Sequence, residues 1–315
     1  MSPAKAPPLP LADRVAARVA ERRSQIVLGV DPDPARLWPG AHEADGEDSA
    51  PADPLARAGR AVAAHCRLLL DAAADECLAA KFQVACFERL GAPGWAALAF
   101  AVGYARERGL LVIADAKRGD IDVSARAYGH AFFGGCESPF GALPGLGADL
   151  LTASPLLGRD SLQALLAEAR ASGGGLFVLV RTSNPGAADV QDLALAGGGT
   201  VSDALASLVD ELGRPGIGRC GLSDVGAVVG ATAPEHLARL REEMPSAVLL
   251  LPGVGAQGAS GEGLEAAFAP GPAGGLVSAS RAIVYAADAR GGGDPAQAAR
   301  AEAARLRELV WNLYA

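Results

Sequence analysis

The chain has 315 residues, half of them apolar, and a formal net charge of −8. This composition supplies enough apolar material for a large core and excludes global disorder. The acidic balance argues against a nucleic acid or an anionic membrane as partner, although a local cationic pocket would still accommodate an anionic substrate. Because no apolar run approaches the ~20 residues that span a bilayer, we expect no membrane partner.

The amino-terminal part of the sequence divides into a lead and a helix. We interpret residues 1–10 as a flexible lead, which lacks the continuous apolar core of a signal peptide. The pattern from Leu11 to Arg23 predicts an amphipathic helix, and we assign residues 11–315 to a single domain. The five cysteines are odd in number and none are two residues apart, which favours reduced thiols in a cytoplasmic protein. The four histidines form no metal-ligand pattern.

Eight short apolar segments rich in β-branched residues predict strands. They are QIVLGV (ending at Val30), AAKFQV (79–84), LLVIAD (ending at Asp115), DLLTAS (149–154), GLFVLVR (175–181), VGAVVGAT (225–232), AVLLLPGVG (from Ala247) and GGLVSAS (from Gly274). Helix-like segments alternate with them, which predicts an α/β fold with a parallel sheet covered by helices. Eight repeats favour a (β/α)₈ TIM barrel, and a doubly wound open sheet is the alternative. Residues 32–54 and 182–224 form unusually long connections, and the second is a candidate lid or interface element.

Lysine is rare in this chain. Of 28 basic residues only Lys5, Lys81 and Lys117 are lysines. Lys81 and Lys117 lie in strand-like segments, where a charge is costly to bury. Lysine can give up its proton and arginine cannot, so two lysines kept where arginine is the usual choice suggest a role for the ammonium itself. For Lys81, a structural ion pair inside the barrel is an equal alternative.

The third predicted strand carries the densest group of charges, in LLVIADAKRGDIDVS. Asp115 and Lys117 are two residues apart and point the same way in an extended chain, whereas Asp120 follows in a turn. A simple surface cluster would explain the charge but not the lysine. In barrels of this class the chemistry lies at the carboxyl ends of the strands, where these residues fall.

Other predicted strands also end in polar residues. Candidates are Asp31 after the first strand, Ser154 after the fourth, Thr182, Ser183 and Asn184 after the fifth, Gln257 among glycines 253, 255 and 258 after the seventh, and Arg281 after the eighth. Local turn formation is the alternative for the first three of these groups. The last two loops have open backbone N–H groups and an arginine at a helix start, a pattern that suits a phosphate.

The motif DAKRGDI resembles the D-x-K-x-x-D-I signature of the orotidine 5′-phosphate decarboxylase family. The segments LGVDPDP, AKFQVACFERLG, RTSNPGA, PGVGAQGA and SASRAI resemble its longer bacterial subfamily, called type 2. The resemblance covers most of the chain. It implies a (β/α)₈ barrel that works as a homodimer with shared active sites. The implied reaction converts orotidine 5′-monophosphate (OMP) to uridine 5′-monophosphate (UMP) and CO₂, the last step of de novo pyrimidine synthesis, without cofactor or metal.

The resemblance also implies roles for individual residues. Lys117 would protonate C6 of the pyrimidine beside Asp115, which faces the departing carboxylate, and Asp120 with Ile121 would come from the other subunit. The remaining implied contacts are Asp31 and Lys81 to ribose hydroxyls, Gln257 and Arg281 to phosphate, and Ser154 to the pyrimidine. Ser124 stands where the family often has threonine, and Thr182 and Asn184 are further candidate ligand contacts.

Two alternatives remain at the sequence level. The metal-dependent 3-keto-gulonate-phosphate decarboxylase and hexulose-phosphate synthase group shares D-x-K-x-x-D, but it uses Mg²⁺ and has an acidic residue where this chain has Lys81. A lysine there opposes cation binding. A non-catalytic barrel that only binds phosphorylated metabolites is the second alternative, and an intact Lys117 with aspartates at 115 and 120 argues against it.

Overall fold

The computed structural model describes residues 9–43, 53–231, 234–253 and 263–314, and its strands form a closed parallel barrel and a small hairpin. The strands are β1 (Ile26–Val30), β2 (Ala79–Gln83), β3 (Leu111–Arg118), β4 (Cys136–Ser138), β5 (Gly141–Leu143), β6 (Leu150–Ala153), β7 (Gly175–Arg181), β8 (Val225–Val229), β9 (Leu249–Pro252) and β10 (Gly275–Ala279). Around the barrel the order is β1-β10-β9-β8-β7-β6-β3-β2, and β4 pairs with β5. The predicted (β/α)₈ barrel is therefore confirmed, and the open-sheet alternative is wrong.

Helices connect the strands and cover the outside of the barrel. They are α1 (Leu11–Arg22), α2 (Pro39–Glu43), α3 (Pro54–Ala73), α4 (Val84–Glu88), α5 (Gly91–Glu107), α6 (Asp122–Phe132), α7 (Arg159–Ala171), α8 (Val201–Gly213), α9 (Pro234–Glu243), α10 (Arg281–Val284), α11 (Ala286–Ala289) and α12 (Pro295–Tyr314). In the described residues, no helix is both long and apolar enough to cross a membrane.

Alternation along the strands divides the core into an outer and an inner part. In β1, Ile26, Leu28 and Val30 pack with the layer between strands and helices, whereas Val27 packs inside the barrel. This division follows from the two-residue repeat of side chains in a strand. Both faces are buried, which explains why the strands appear in the sequence as continuous apolar runs.

Helix α1 closes the amino-terminal end of the barrel. Its apolar face, which includes Val15 and Val19, packs with the interior cluster of the barrel. The Arg14 side chain donates a hydrogen bond of 2.6 Å to Asp149. The predicted amphipathic helix thus ends one residue earlier than expected, at Arg22. Of the predicted lead, residues 1–8 lie outside the described part of the chain. Among the described residues, α1 thus covers this end of the barrel, whereas the carboxyl ends of the strands lie at the opposite end.

Candidate active site

The carboxyl ends of the strands surround a cavity of about 680 Å³. Its wall includes side chains from β2, β3, β6, β7 and the loop after β7. Among the lining residues are Lys81, Gln83, Asp115, Lys117, Thr152, Leu156, Thr182, Ser183, Asn184, Val190, Gln191 and Ser278. The volume and the mixture of apolar and convergent polar groups are those of a small-molecule site. This is also the end of a (β/α)₈ barrel where active sites are found.

Two lysines and two aspartates form the charged cluster of this cavity: Asp31, Lys81, Asp115 and Lys117. The Asp115 carboxylate accepts a hydrogen bond of 2.8 Å from Lys81 Nζ and one of 2.6 Å from Lys117 Nζ. Lys81 Nζ also lies 3.8 Å from Asp31. Adjacent register brings the groups together, because β2 pairs with β1 at Gly29↔Lys81 and with β3 at Gln83↔Asp115.

The charged cluster favours ionised side chains. Burial alone would raise the pKa of Asp115, but the charges of Lys81 and Lys117 and their hydrogen bonds lower that pKa to about 2. Burial likewise acts to lower the pKa of Lys81, and the charges of Asp31 and Asp115 reverse the effect, so that this pKa is raised. Asp115 is therefore an anion and Lys81 a cation at neutral pH. Both are less than a tenth exposed.

Lys117 lies at an irregularity in β3. The register between β3 and β6 shifts between Ala114 and Arg118, and Lys117 adopts φ 50°, a left-handed conformation that is uncommon for residues other than glycine. Its side chain is 45% exposed, so the ammonium lies at the cavity surface while paired to a buried carboxylate. Asp115 and Lys117 thus meet as predicted, but through a bulge instead of a regular extended strand.

Sequence analysis overlooked two polar neighbours of this ion pair. Thr152 donates to Asp115 Oδ1 at 2.9 Å and accepts from the backbone N–H of Lys117 at 2.9 Å. In the orientation that satisfies its amide, Gln83 donates to the Asp115 carbonyl at 2.9 Å and accepts from Lys117 Nζ at 3.3 Å. Gln83 follows Lys81 by two residues and therefore points into the same space, a signal that the sequence did contain.

The loop after β7 forms another part of the wall, with Thr182 and Asn184 both at the cavity. Thr182 Oγ1 donates to Asn184 Oδ1 at 2.7 Å, and Gln191 accepts from the Thr182 backbone N–H at 2.8 Å. Arg181 anchors the loop through two hydrogen bonds of 2.9 Å to Asp192. Thr182 and Asn184 therefore make the hydrogen bonds of a local turn and also line the cavity, so both interpretations of these residues apply.

Asp120, Ile121, Ser124 and Ser154 are not among the described residues that line the main cavity. The Asp120 carboxylate accepts the Ile121 N–H at 2.8 Å and makes no ion pair within the described part of the chain. Ile121 is 56% exposed, and Ser124 is also exposed, in the first turn of α6. Ser154 is half-buried, and its N–H donates to Arg118 at 2.8 Å. Within the described part of one chain, Lys117 forms an ion pair with Asp115 but none with Asp120.

Of the two residues predicted to bind phosphate, Arg281 lies in the described part of the chain and Gln257 does not. Arg281 opens α10 and is exposed, and it lines a second cavity of about 560 Å³ with Arg36 and Tyr285 instead of the main one. Gln257, with glycines 255 and 258, falls at 254–262, outside the described residues. The described chain therefore leaves a phosphate contact from this loop as a prediction.

The charged cluster does not suit a divalent cation. Within the described residues, no group of three or more histidine, cysteine, aspartate or glutamate side chains is arranged to hold a metal ion. The two carboxylates that come nearest to such a site, Asp31 and Asp115, have the Lys81 ammonium between them, 3.8 Å and 2.8 Å away. A metal there would have to displace a buried cation.

A (β/α)₈ barrel with an ion-paired lysine in the cavity at the carboxyl ends of its strands places the chain among the barrel enzymes that act on small molecules. Residues 26–300 match the family model described as "Orotidine 5′-phosphate decarboxylase / HUMPS family", and the chain belongs to this family.

Known proteins of the family are similar along most of the chain. An orotidine 5′-phosphate decarboxylase from Rhodopirellula baltica is 44% identical over 224 residues, which cover 70% of this chain and 72% of that one. A second, from Roseiflexus castenholzii, is 38% identical over 289 residues, 91% and 92% of the two chains. The solved OMP decarboxylase of Leishmania donovani superimposes with a TM-score of 0.71 at 30% identity, covering 97% of this chain and 99% of that chain.

Proposed function

We propose that this protein decarboxylates OMP to UMP in pyrimidine synthesis. The observation that carries the proposal is the Lys117 ammonium at the cavity surface, held 2.6 Å from the buried Asp115 carboxylate. Membership of the family and relatives of that name support the same reaction.

Loss of CO₂ from the pyrimidine leaves a pair of electrons on C6, where the ring delocalises them poorly. A fixed ammonium beside that carbon stabilises the developing negative charge and then donates a proton to it. Lys117 takes this role because Asp115 and Gln83 orient its Nζ. Orientation before reaction matters, since groups that are already aligned need not reorganise as the charge appears.

Asp115 contributes electrostatically as well as by orientation. Its carboxylate is buried and remains ionised, with a pKa of about 2, because two lysines lie against it. Next to the substrate carboxylate, this fixed charge disfavours the bound acid more than the transition state, in which negative charge has moved to C6 and toward Lys117.

The remaining contacts follow the resemblance. Asp31 and Lys81 bind ribose hydroxyls, for which Asp31 Oδ1 is buried without a hydrogen-bond partner in the described chain. Ser154 binds the pyrimidine, and Thr182 and Asn184, which line the main cavity, are further candidate contacts. Gln257 and Arg281 bind the phosphate, which requires the phosphate to extend from the main cavity toward the second one, where Arg281 lies. Binding the phosphate far from C6 assists the reaction when that binding energy orders the site.

We further propose a homodimer in which Asp120 and Ile121 complete the partner's site, with Ser124 close by. The Asp120 carboxylate lacks an ion pair within its own described chain, and the apolar residues Ile121, Val123 and Leu156 are 56%, 68% and 84% exposed. These apolar residues follow β3 and β6, which are neighbours in the barrel. Large apolar side chains exposed on neighbouring loops are a feature of protein interfaces.

A cytoplasmic location is also proposed. All five cysteines lie in the described chain as free thiols, and burial raises the pKa of Cys77 to about 12, which keeps it unreactive. Reduced cysteines fit a reducing compartment.

The test is turnover of OMP by purified protein in the presence of EDTA, followed by the change in absorbance. We expect full activity in EDTA, and an activity lower by at least ~10⁴-fold for Lys117→Ala, because that variant loses both charge stabilisation and the proton donor. Arg305→Ala removes an exposed cation from α12 and is the matched control, expected to be as active as wild type. Normal turnover by Lys117→Ala would overturn the mechanism, and activity that requires added Mg²⁺ would favour the sugar-phosphate group of the family.

A further inference from the structure

Thr152 is a buried residue of β6, the strand that pairs with β3. Only 1% of this residue is exposed, and it lies in β6 opposite the bulge of β3. Ala114 pairs with Leu151 and Arg118 pairs with Ala153, so that three residues of β3 face the single residue Thr152. The extra residues cannot all make regular ladder hydrogen bonds, and a side chain has to replace the missing partner.

The Thr152 hydroxyl supplies that replacement with both of its functions. Its oxygen accepts the Lys117 backbone N–H at 2.9 Å, and its proton is donated to Asp115 Oδ1 at 2.9 Å. The same Oδ1 accepts Lys117 Nζ at 2.6 Å. One closed ring of hydrogen bonds therefore fixes the backbone of Lys117 at one end and its ammonium at the other.

We propose that Thr152 is a positioning residue, which holds Lys117 in its left-handed backbone conformation and thereby aims the ammonium into the cavity. A left-handed lysine is costly, about 1–2 kcal/mol, and persists only where the surroundings enforce it. Valine at 152 has nearly the same shape but offers no hydrogen bond, so the part-buried Lys117 N–H and one lone pair of the buried Asp115 carboxylate would lose their partner. This inference rests on the proposed function of Lys117.

The test compares Thr152→Val with two other variants. Thr152→Val loses a hydrogen bond to the charged Asp115 carboxylate beside the reacting centre, so we expect its kcat to be lower by roughly 10- to 100-fold. KM should change little, because the orientation of the Lys117 ammonium is affected and ground-state binding is not. Thr152→Ser keeps the hydroxyl and should restore most of kcat. Ser223→Ala is the matched control: its buried hydroxyl also accepts a backbone N–H, at 3.0 Å, and donates to a carbonyl, at 3.1 Å, but before β8 at the closed end of the barrel.

The outcomes separate this inference from the proposed function. If wild type turns over OMP while Thr152→Val retains its kcat, or loses no more than Ser223→Ala does, the positioning role is wrong. If wild type does not turn over OMP, the proposed function fails, and a crystal structure of Thr152→Val then decides the positioning role by itself. Lys117 with a negative φ in that structure supports the role, and Lys117 unchanged near φ 50° overturns it.

Discussion

Replacing Asp115 by asparagine should destabilise the protein more than the loss of an ordinary ion pair does. Asparagine keeps the shape but removes the charge 2.8 Å from the buried Lys81 ammonium. Among the described residues, Asp31, at 3.8 Å, is then the one counter-ion left to Lys81. Breaking a buried pair costs about 3–5 kcal/mol, and the remaining Asp31 places this case near the lower value, about 3 kcal/mol. For 315 residues, an unfolding entropy of roughly 2 cal/mol/K per residue converts that loss to a fall in Tm of about 5 °C.

The assay is thermal and urea unfolding of Asp115→Asn beside Asp210→Asn. Asp210, in the last turn of α8, pairs at 2.8 Å with Arg214, which follows the helix. The Asp210 side chain is 16% exposed, but Arg214 is 69% exposed and stays hydrated when its partner is lost, so this pair contributes about 1 kcal/mol or less. Adding Lys81→Met to Asp115→Asn should recover part of the lost stability, because the stranded ammonium is then gone. A Tm of Asp115→Asn within about a degree of that of the Asp210→Asn control would refute a large cost of leaving Lys81 without this partner.

Three further results follow from the geometry. Folding lowers the pKa of Asp115 from its ordinary value near 4 to about 2, so the ionised carboxylate stabilises the folded state at pH values above about 4. The difference in unfolding free energy between wild type and Asp115→Asn, measured by urea unfolding, should therefore shrink by about 2 kcal/mol from pH 5 to pH 2. A difference that stays constant over this range would contradict the prediction. Mixing inactive Lys117→Ala and Asp120→Asn should restore some activity through hybrid dimers, and failure despite subunit exchange seen by mass spectrometry would count against shared sites. Arg241→Met should cost at least ~3 kcal/mol in urea unfolding while Arg305→Met costs little, because the buried Arg241 guanidinium donates at 2.7–2.9 Å to four carbonyls; equal losses would disprove it.

The barrel was predictable because its strands are buried on both faces. Continuous apolar runs such as LLVIAD leave a strong signal, and the observed strands begin and end close to the predicted bounds. The β4–β5 hairpin gave no such signal. Its strands have only three residues each and are exposed, and Phe140 at the turn is 94% exposed, so neither alternation nor an apolar run marks them.

The residues of the charged cluster were predictable from the sequence, whereas Thr152, which hydrogen-bonds to Asp115 and Lys117, was not. The rarity of lysine singled out Lys81 and Lys117, and the spacing of two residues between Asp115 and Lys117 indicated that these two point the same way. The pairing of Lys81 with Asp115 depends on the register between β2 and β3. Thr152 was overlooked, because a threonine inside a strand is ordinarily a residue with high β propensity, and its role depends on a register shift between β3 and β6. A register shift is a property of two strands together, which a pattern within either segment cannot show.

The most direct test of the central claim is a crystal structure of the protein with UMP bound. We expect Lys117 Nζ to lie within about 3.5 Å of C6 of the pyrimidine and to remain paired with Asp115, because it must deliver a proton to that carbon. A pyrimidine bound with C6 facing away from Lys117, or a nucleotide bound outside the cavity lined by Lys81 and Asp115, would contradict it.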